Sequence, residues 1–261
     1  LVFDFGTSIR SNEPVIAEIG RRFAATFELG VTSLLIAIVF GVTLGVIAAR
    51  KKNSIIDYLC ITFSLGGVSI PVFWLGLMLI FIFSATLGWL PVSGRISMES
   101  GMQVVTGFYL LDALLIGNLT AFWDALKHLI LPAIALSTIP LALIVRVTRS
   151  SMLEAFSEDY MKTAEAKGIP NRLIIFRHGL KNAIIPVLTV IGIQVASLMG
   201  GSILTETVFS WPGVGSLIIQ AITERDYPVI QGVVYLVALL LIVVNIIVDL
   251  LYSYFDPRIR Y

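Results

Sequence analysis

The sequence predicts an all-α polytopic membrane protein. Three observations carry that reading. Of the 261 residues 57% are hydrophobic and 13% charged, where a soluble domain carries about a quarter charged residues. Mean hydropathy is +0.94. The charges fall in clusters between long uncharged runs. A formal net charge of +1 argues against a nucleic-acid partner, so what matters is where the charges lie along the chain. The single cysteine, Cys60, lies inside an apolar run, so neither a disulfide framework nor a cysteine metal cluster is open to this chain. Its stability is expected to come from helix packing in lipid.

A membrane helix needs about 20 apolar residues to cross roughly 30 Å of hydrocarbon. Five uncharged runs are candidates: residues 30–49, 58–87, 129–145, 182–205 and 227–248. The second is long enough to hold an interfacial end or a break near Pro71. The third is short and carries Pro132 and Pro140, which predicts a kinked helix whose freed backbone groups are satisfied by neighbours or water.

Lys and Arg in short loops resist translocation. Twelve lie on one side of the five runs (Arg50, Lys51, Lys52, Arg146, Arg149, Lys162, Lys167, Arg172, Arg177, Lys181, Arg258 and Arg260) and six on the other, the latter spread over far more sequence. The first side is therefore expected to be cytoplasmic, with the C-terminus on that side. An odd number of spans leaves the amino terminus outside, yet no basic n-region or apolar signal opens the chain. One more span upstream of Leu1 is expected, making six.

The outer loops, residues 88–128 and 206–226, are expected to form a structured cap. Residues 107–117 read as a short apolar helix. Trp89, Trp123 and Trp211 lie where aromatic rings favour the interface. The run Trp211-Pro212-Gly213-Val214-Gly215 is a turn by its Pro-Gly chemistry, and Pro228 restarts a helix, which suggests a hairpin before the last span.

The most informative segment is the cytoplasmic loop 146–181. Met152, Phe156, Tyr160 and Ala164 recur every four residues, with Glu154, Ser157, Glu158, Lys162 and Glu165 on other faces, so the sequence predicts one amphipathic helix. Gly168 and Pro170 end it, and Asn171 caps a second helix opening at Arg172. Helices that lie on lipid headgroups usually carry a basic polar face. Here that face is mostly acidic, with Glu154, Glu158, Asp159 and Glu165, which favours docking of the apolar stripe into a protein groove.

The runs Asp159-Tyr160-Met161-Lys162-Thr163-Ala164-Glu165-Ala166-Lys167-Gly168 and Arg177-His178-Gly179-Leu180-Lys181-Asn182-Ala183 resemble the loop motif of ABC importer permeases in its peptide and nickel version. The general Glu-Ala-Ala form is replaced by Lys162, Thr163 and Ala164, a departure typical of that branch. The resemblance spans the chain, through Asp4-Phe5-Gly6-Thr7-Ser8, Pro91-Val92-Ser93-Gly94-Arg95, Thr205-Glu206-Thr207-Val208-Phe209-Ser210-Trp211-Pro212-Gly213 and Asp256-Pro257-Arg258-Ile259-Arg260. It is closest to the B-type subunit of the dipeptide branch.

That resemblance implies a type I ABC importer permease fold and a multi-pass subunit of the bacterial inner membrane. It also implies as partners a second, C-type permease, two ABC ATPase subunits and an external substrate-binding protein. ATP and Mg belong to the ATPases; this chain has no phosphate loop, is expected to be a transport subunit and no enzyme, and is expected to hold no cofactor or metal. The ATPase-docking set is expected to be Glu154, Phe156, Glu158, Tyr160, Thr163, Ala164, Ala166 and Gly168. Tyr160, Ala164 and Gly168 stand at its centre, Gly168 because a left-handed helix end leaves little room for a side chain.

Gly41 and Gly45 form a GxxxG pair, and Gly192, Ala196 and Gly200 repeat small residues at the same spacing. Either set serves packing within the chain or against a second permease. Ser64, Ser69, Thr138, Gln194, Ser197 and Ser202 are polar groups inside spans. Single hydroxyls can bond back to their own helix, whereas Gln194 needs several partners. Ser69, Gln194, Ser197 and Ser202 are the candidate path residues. Glu206, at the outer end of the fourth run, either meets substrate or the delivering protein or anchors its loop, and the second is expected. His128 and His178 fall on opposite sides and make no metal pair. An ion-coupled secondary transporter would place charges at mid-membrane, and none of the five runs has one. A membrane protease would need an HExxH or GxSxG pattern, which is absent. Within the importer reading, peptide, nickel, glutathione and haem all remain open as cargo.

Overall fold

The computed structural model describes the chain from Phe5 to Phe255. Its regular structure is helical apart from one bridge between Thr7 and Pro14. The chain divides into two compact units, the first comprising residues up to Ser33, Pro71–Leu136 and Ala196–Ile242, the second Leu34–Ile70, Ser137–Val195 and residues from Val243 on.

In the first unit, α1 (Val15–Arg50) begins well before the uncharged run at Gly30. The charges Glu18, Arg21 and Arg22 obscure this start in the sequence. Val15 and Ile19, one turn apart, are buried against Leu217 and Ala221 of α10 (Val214–Glu224) and against Val229 and Val233 of α11 (Tyr227–Phe255). Gly232 permits that approach, since a Cβ there would lie 2.6 Å from Val15 Cγ1. A second core joins Leu131 and Ala135 of α5 (Leu119–Ser157), Phe209, and residues of α3 (Val72–Leu79) with its π-helical continuation Ile80–Thr86. The expected short helix is α4 (Tyr109–Leu115). It is preceded by a loop gathered around the fully buried Asp112, which accepts the backbone N–H groups of Val105, Thr106 and Gly107 and the Thr106 hydroxyl.

In the second unit, α1 ends at a tight turn with Asn53 at φ +61°. Then α2 (Ile55–Ser69) opens with a side-chain cap: Ser54 Oγ accepts from the Asp57 amide, and the Asp57 carboxylate accepts from the Asn53 amide just ahead of the cap. The buried Asp57 also takes a two-pronged bond from Arg149 of α5, 2.6 Å from Nε and 2.7 Å from Nη2. The helix stops at Ser69 because Pro71 drives Ile70 to an extended conformation, φ −92° and ψ 127°, so the expected break near Pro71 is present. Gly41 and Gly45 face α5 within the same chain. A Cβ on Gly41 would lie 2.7 Å from Ile144 Cγ2, and one on Gly45 2.6 Å from Thr148 Cβ.

The third run is longer than expected. In place of residues 129–145, α5 is continuous over 39 residues, through both Pro132 and Pro140. Charged residues such as Lys127, Arg146 and Arg149 end an uncharged window without ending a helix, because helix ends outside hydrocarbon tolerate charge. Among the described residues four helices are long and apolar enough to cross a membrane, and α2 and α3, which meet at a bend of 102°, pass the same test only when taken together as one broken span.

Candidate functional site

The segment singled out by its sequence is built differently from the single amphipathic helix expected there. The end of α5 carries Met152, Glu154 and Phe156, and the helix stops at Ser157, whose hydroxyl bonds back to the Glu154 carbonyl. Glu158 is extended, φ −71° and ψ 147°, and a new helix α6 (Asp159–Ala166) follows. The predicted stripe is therefore broken between Phe156 and Tyr160. Ser157 is the physical reason: its side chain competes for the carbonyl that a continuing turn would use.

The end of α6 is set by Gly168, at φ +70°. An added Cβ at Gly168 would meet nothing within 4 Å, so the constraint is the left-handed backbone and not a shortage of room. Then α7 (Asn171–Leu173) starts one residue earlier than expected, with the Pro170 carbonyl accepting from Leu173 and Ile174. It runs through a π-helical segment, Ile174–Leu180, into α8 (Lys181–Gly201).

The apolar stripe is largely covered by the chain itself. Met161 and Ala164 pack on Ile174, and Met152 on Ile175 and Ala183. Phe156 lies over Gly179, where a Cβ would come within 2.9 Å of the Phe156 ring. Ala164 therefore faces inward, 5% exposed, whereas Tyr160 is 38% exposed. Glu154, Glu158, Thr163, Ala166 and Gly168 are exposed. What α6 presents outward is a polar face centred on Tyr160, Thr163 and Ala166. The packing also explains Asn182, which the sequence reading passed over: its side-chain nitrogen donates to the Tyr160 hydroxyl and to the His178 carbonyl, 2.9 Å each.

The candidate path residues are not alike. Ser69 is exposed and bonds back to the Leu65 carbonyl, Gln194 is buried and Ser197 exposed. Ser202 is buried and donates to Glu206 Oε1 at 3.0 Å. Glu206, in the short helix α9 (Ile203–Val208), has no exposed surface. It also accepts from the Thr26 hydroxyl at 2.7 Å and the Ser216 amide at 2.9 Å, which is the anchoring role expected of it. Burial pushes its carboxyl above the usual range, although these bonds pull the other way. The Trp-Pro-Gly-Val-Gly run wraps this carboxylate: a Cβ on Gly213 would lie 2.4 Å from Thr26 Oγ1, and one on Gly215 2.9 Å from Glu206 Oε2. Trp211, expected at an interface, is buried instead and donates Nε1 to the Ala25 carbonyl; Trp89 and Trp123 are exposed. Its neighbour Arg95 is also buried, bonded to Glu28 and lying over the Tyr109 ring. Ser64 bonds back to Cys60. Asp4 and the run Asp256 to Arg260 lie outside the described residues, as do the surroundings of Ala196 and Gly200.

The model of binding-protein-dependent transport system inner membrane components matches residues 41–261, which include the whole α5–α8 segment. The chain belongs to this family. The permease is 51% identical over 258 residues to the dipeptide transport system permease protein DppB of Alkalihalophilus pseudofirmus, covering 99% of the permease and 78% of that protein. It is 52% identical to the di/tripeptide transport system permease protein DppB of Pseudomonas aeruginosa, covering 99% and 77%. Among solved structures, the permease superposes on the inward-facing MetNI methionine ABC transporter with a TM-score of 0.62 at 17% identity, covering 93% and 96% of the two chains. On an amino acid ABC transporter the TM-score is 0.59 at 14% identity, covering 94% and 95%. At such identities these two share the fold: the permease is a type I ABC importer permease, all-α and polytopic, and a component of the bacterial inner membrane.

Proposed function

We propose that this permease forms, with a second permease, the path by which an ATP-driven importer takes up dipeptides and short oligopeptides. The cargo follows from the relatives, which share about half of its residues and whose names specify dipeptides and tripeptides; the nickel, glutathione and haem alternatives have no such support. Two ATPase subunits dock on the cytoplasmic loop and hold ATP and Mg, and an external binding protein delivers cargo. The loop carrying α6 and the C-terminus face the cytoplasm, in keeping with the twelve Lys and Arg on that side. Spans near 30–49, 58–87, 129–145, 182–205 and 227–248 form one transmembrane domain.

The observation that carries the docking assignment is the outward face of α6. A short helix seated by Met161 and Ala164 on its own chain leaves Tyr160, Thr163 and Ala166 for a cleft on the ATPase, with Glu154, Phe156, Glu158 and Gly168 at its edges. Closing of the ATPases on ATP would move α6 and switch the paired permeases between inward-open and outward-open states. Gly168→Arg and Ala166→Arg test this. Both sites are exposed; Gly168→Arg also strains the left-handed backbone at φ +70°, so Ala166→Arg, which lies inside α6 and adds no such strain, is the variant that isolates docking. ATPase subunits should fail to co-purify and uptake of labelled dipeptide should fall to background. Intact co-purification with normal uptake in both variants would show that the ATPases dock elsewhere.

A further inference from the structure

The linkage between α6 and the span that follows rests on few contacts, because α6 has only eight residues and is flanked by the extended Glu158 and the left-handed Gly168. Its inward side meets Ile174 through Met161 and Ala164, an apolar contact without direction that would let the helix roll. Among the described residues one directional bond ties its outward half to α8. The Asn182 side-chain NH₂ uses its two hydrogens on two acceptors: the Tyr160 hydroxyl, and the His178 carbonyl one turn back in the π-helical segment. The second bond fixes the rotamer from which the first is made. Asn182 lies in the first turn of α8, so a displacement of Tyr160 pulls on the start of a helix that continues to Gly201.

We propose that Asn182 is a positioning residue for coupling, which holds α6 by the Tyr160 hydroxyl so that motion of α6 is passed to α8 and not lost as rolling. This rests on the docking reading above, and it assigns to Asn182 a role in transmission and none in binding the ATPase. Asparagine suits the position because the site needs two N–H donors on one short side chain. Aspartate there could still accept a bond from the Tyr160 hydroxyl while losing the one to His178. Alanine loses both.

The test uses the complete complex of both permeases, ATPases and binding protein in proteoliposomes, and reads dipeptide transported per ATP hydrolysed. Asn182→Ala is expected to retain its ATPases on purification and to lower that ratio about two- to tenfold, the range for one hydrogen bond that differs between two states. Asn182→Asp is expected to recover part of the loss, which a merely structural role would not predict. In a Tyr160→Phe background Asn182→Ala should lower the ratio no further, since the bond is already gone. A wild-type ratio in Asn182→Ala, an equal loss in Asn182→Asp, or additive effects in the double variant would each overturn the proposal. Loss of the ATPases from Asn182→Ala would also overturn it, by making the residue part of assembly. Failure of the docking reading would appear separately, as ATPases that stay bound to Gly168→Arg and Ala166→Arg.

Discussion

Gly213→Ala is the sharpest probe of how the loop before α10 is held. Gly213 sits at φ −100° and ψ −173°, an extended conformation open to any residue, so the substitution adds no backbone strain. What it adds is a methyl group 2.4 Å from Thr26 Oγ1 and 2.5 Å from Glu206 Cδ. Neither neighbour can swing away freely. Thr26 donates to Glu206 and accepts from the Val214 amide, and Glu206 is held also by Ser202 and Ser216. Overpacking of a locked site costs about 1–3 kcal/mol. Pushing the carboxylate off one donor adds about 1–3 kcal/mol more. Gly20→Ala supplies the opposite expectation, because Gly20 lies inside α1 and an added Cβ there meets nothing within 4 Å. That change should stabilise by about 0.5–1 kcal/mol. The assay is thermal unfolding of the detergent-solubilised complex followed by tryptophan fluorescence, to which the buried Trp211 beside the site contributes. The midpoint should fall by several degrees for Gly213→Ala and rise slightly for Gly20→Ala. A midpoint unchanged for Gly213→Ala, or lowered equally by both, would refute the argument that space around Glu206 makes glycine necessary.

Two further outcomes follow from buried carboxylates outside the spans. Burial alone would raise the Asp112 carboxyl, but its bonds from Thr106, Gly107 and Val105 hold it below the usual range. Its contribution is therefore present above the unfolded value of about 3.9 and is lost as pH falls through the lower folded value. Asp112→Asn should cost about 2–4 kcal/mol at neutral pH and flatten the acid limb of the melting profile, and an acid limb of unchanged slope would count against it. Glu206 is shifted upward by burial, so the sign reverses: its contribution is full below about 4.3 and is lost as pH rises through the folded value. As pH rises from about 4.3, melting midpoints should lose less in Glu206→Gln than in the unaltered protein, and parallel profiles would contradict this.

The transmembrane character of the fold was legible because an uncharged run of about 20 residues has few other uses. Break positions were legible where Pro and Gly act on their own backbone, as at Pro71 and Gly168. Helix limits were not. Val15 and Leu119 begin helices that cross charged stretches, and a window defined by charge stops short of both. The expected single amphipathic helix failed at Ser157 because period four is kept across a one-residue break, with Met152 and Phe156 on α5 and Tyr160 and Ala164 on α6. Which side of that stripe is covered depends on Ile174 and Gly179, and no pattern within α6 reports on them. Asn182 and Trp211 escaped for the same reason. Their bonds reach 22 and 186 residues along the chain, and only the fold brings those partners together.

The seating of Ile144 and Thr148 over Gly41 and Gly45 limits how the permease can move. Side chains lodged in two successive notches of a facing helix act as the teeth of a rack. Sliding either helix along the other would lift both teeth at once, so α1 and α5 travel there as one rigid strut. Any rearrangement of the spans has to take place at seams that are smooth, which directs the search for moving surfaces away from this pair.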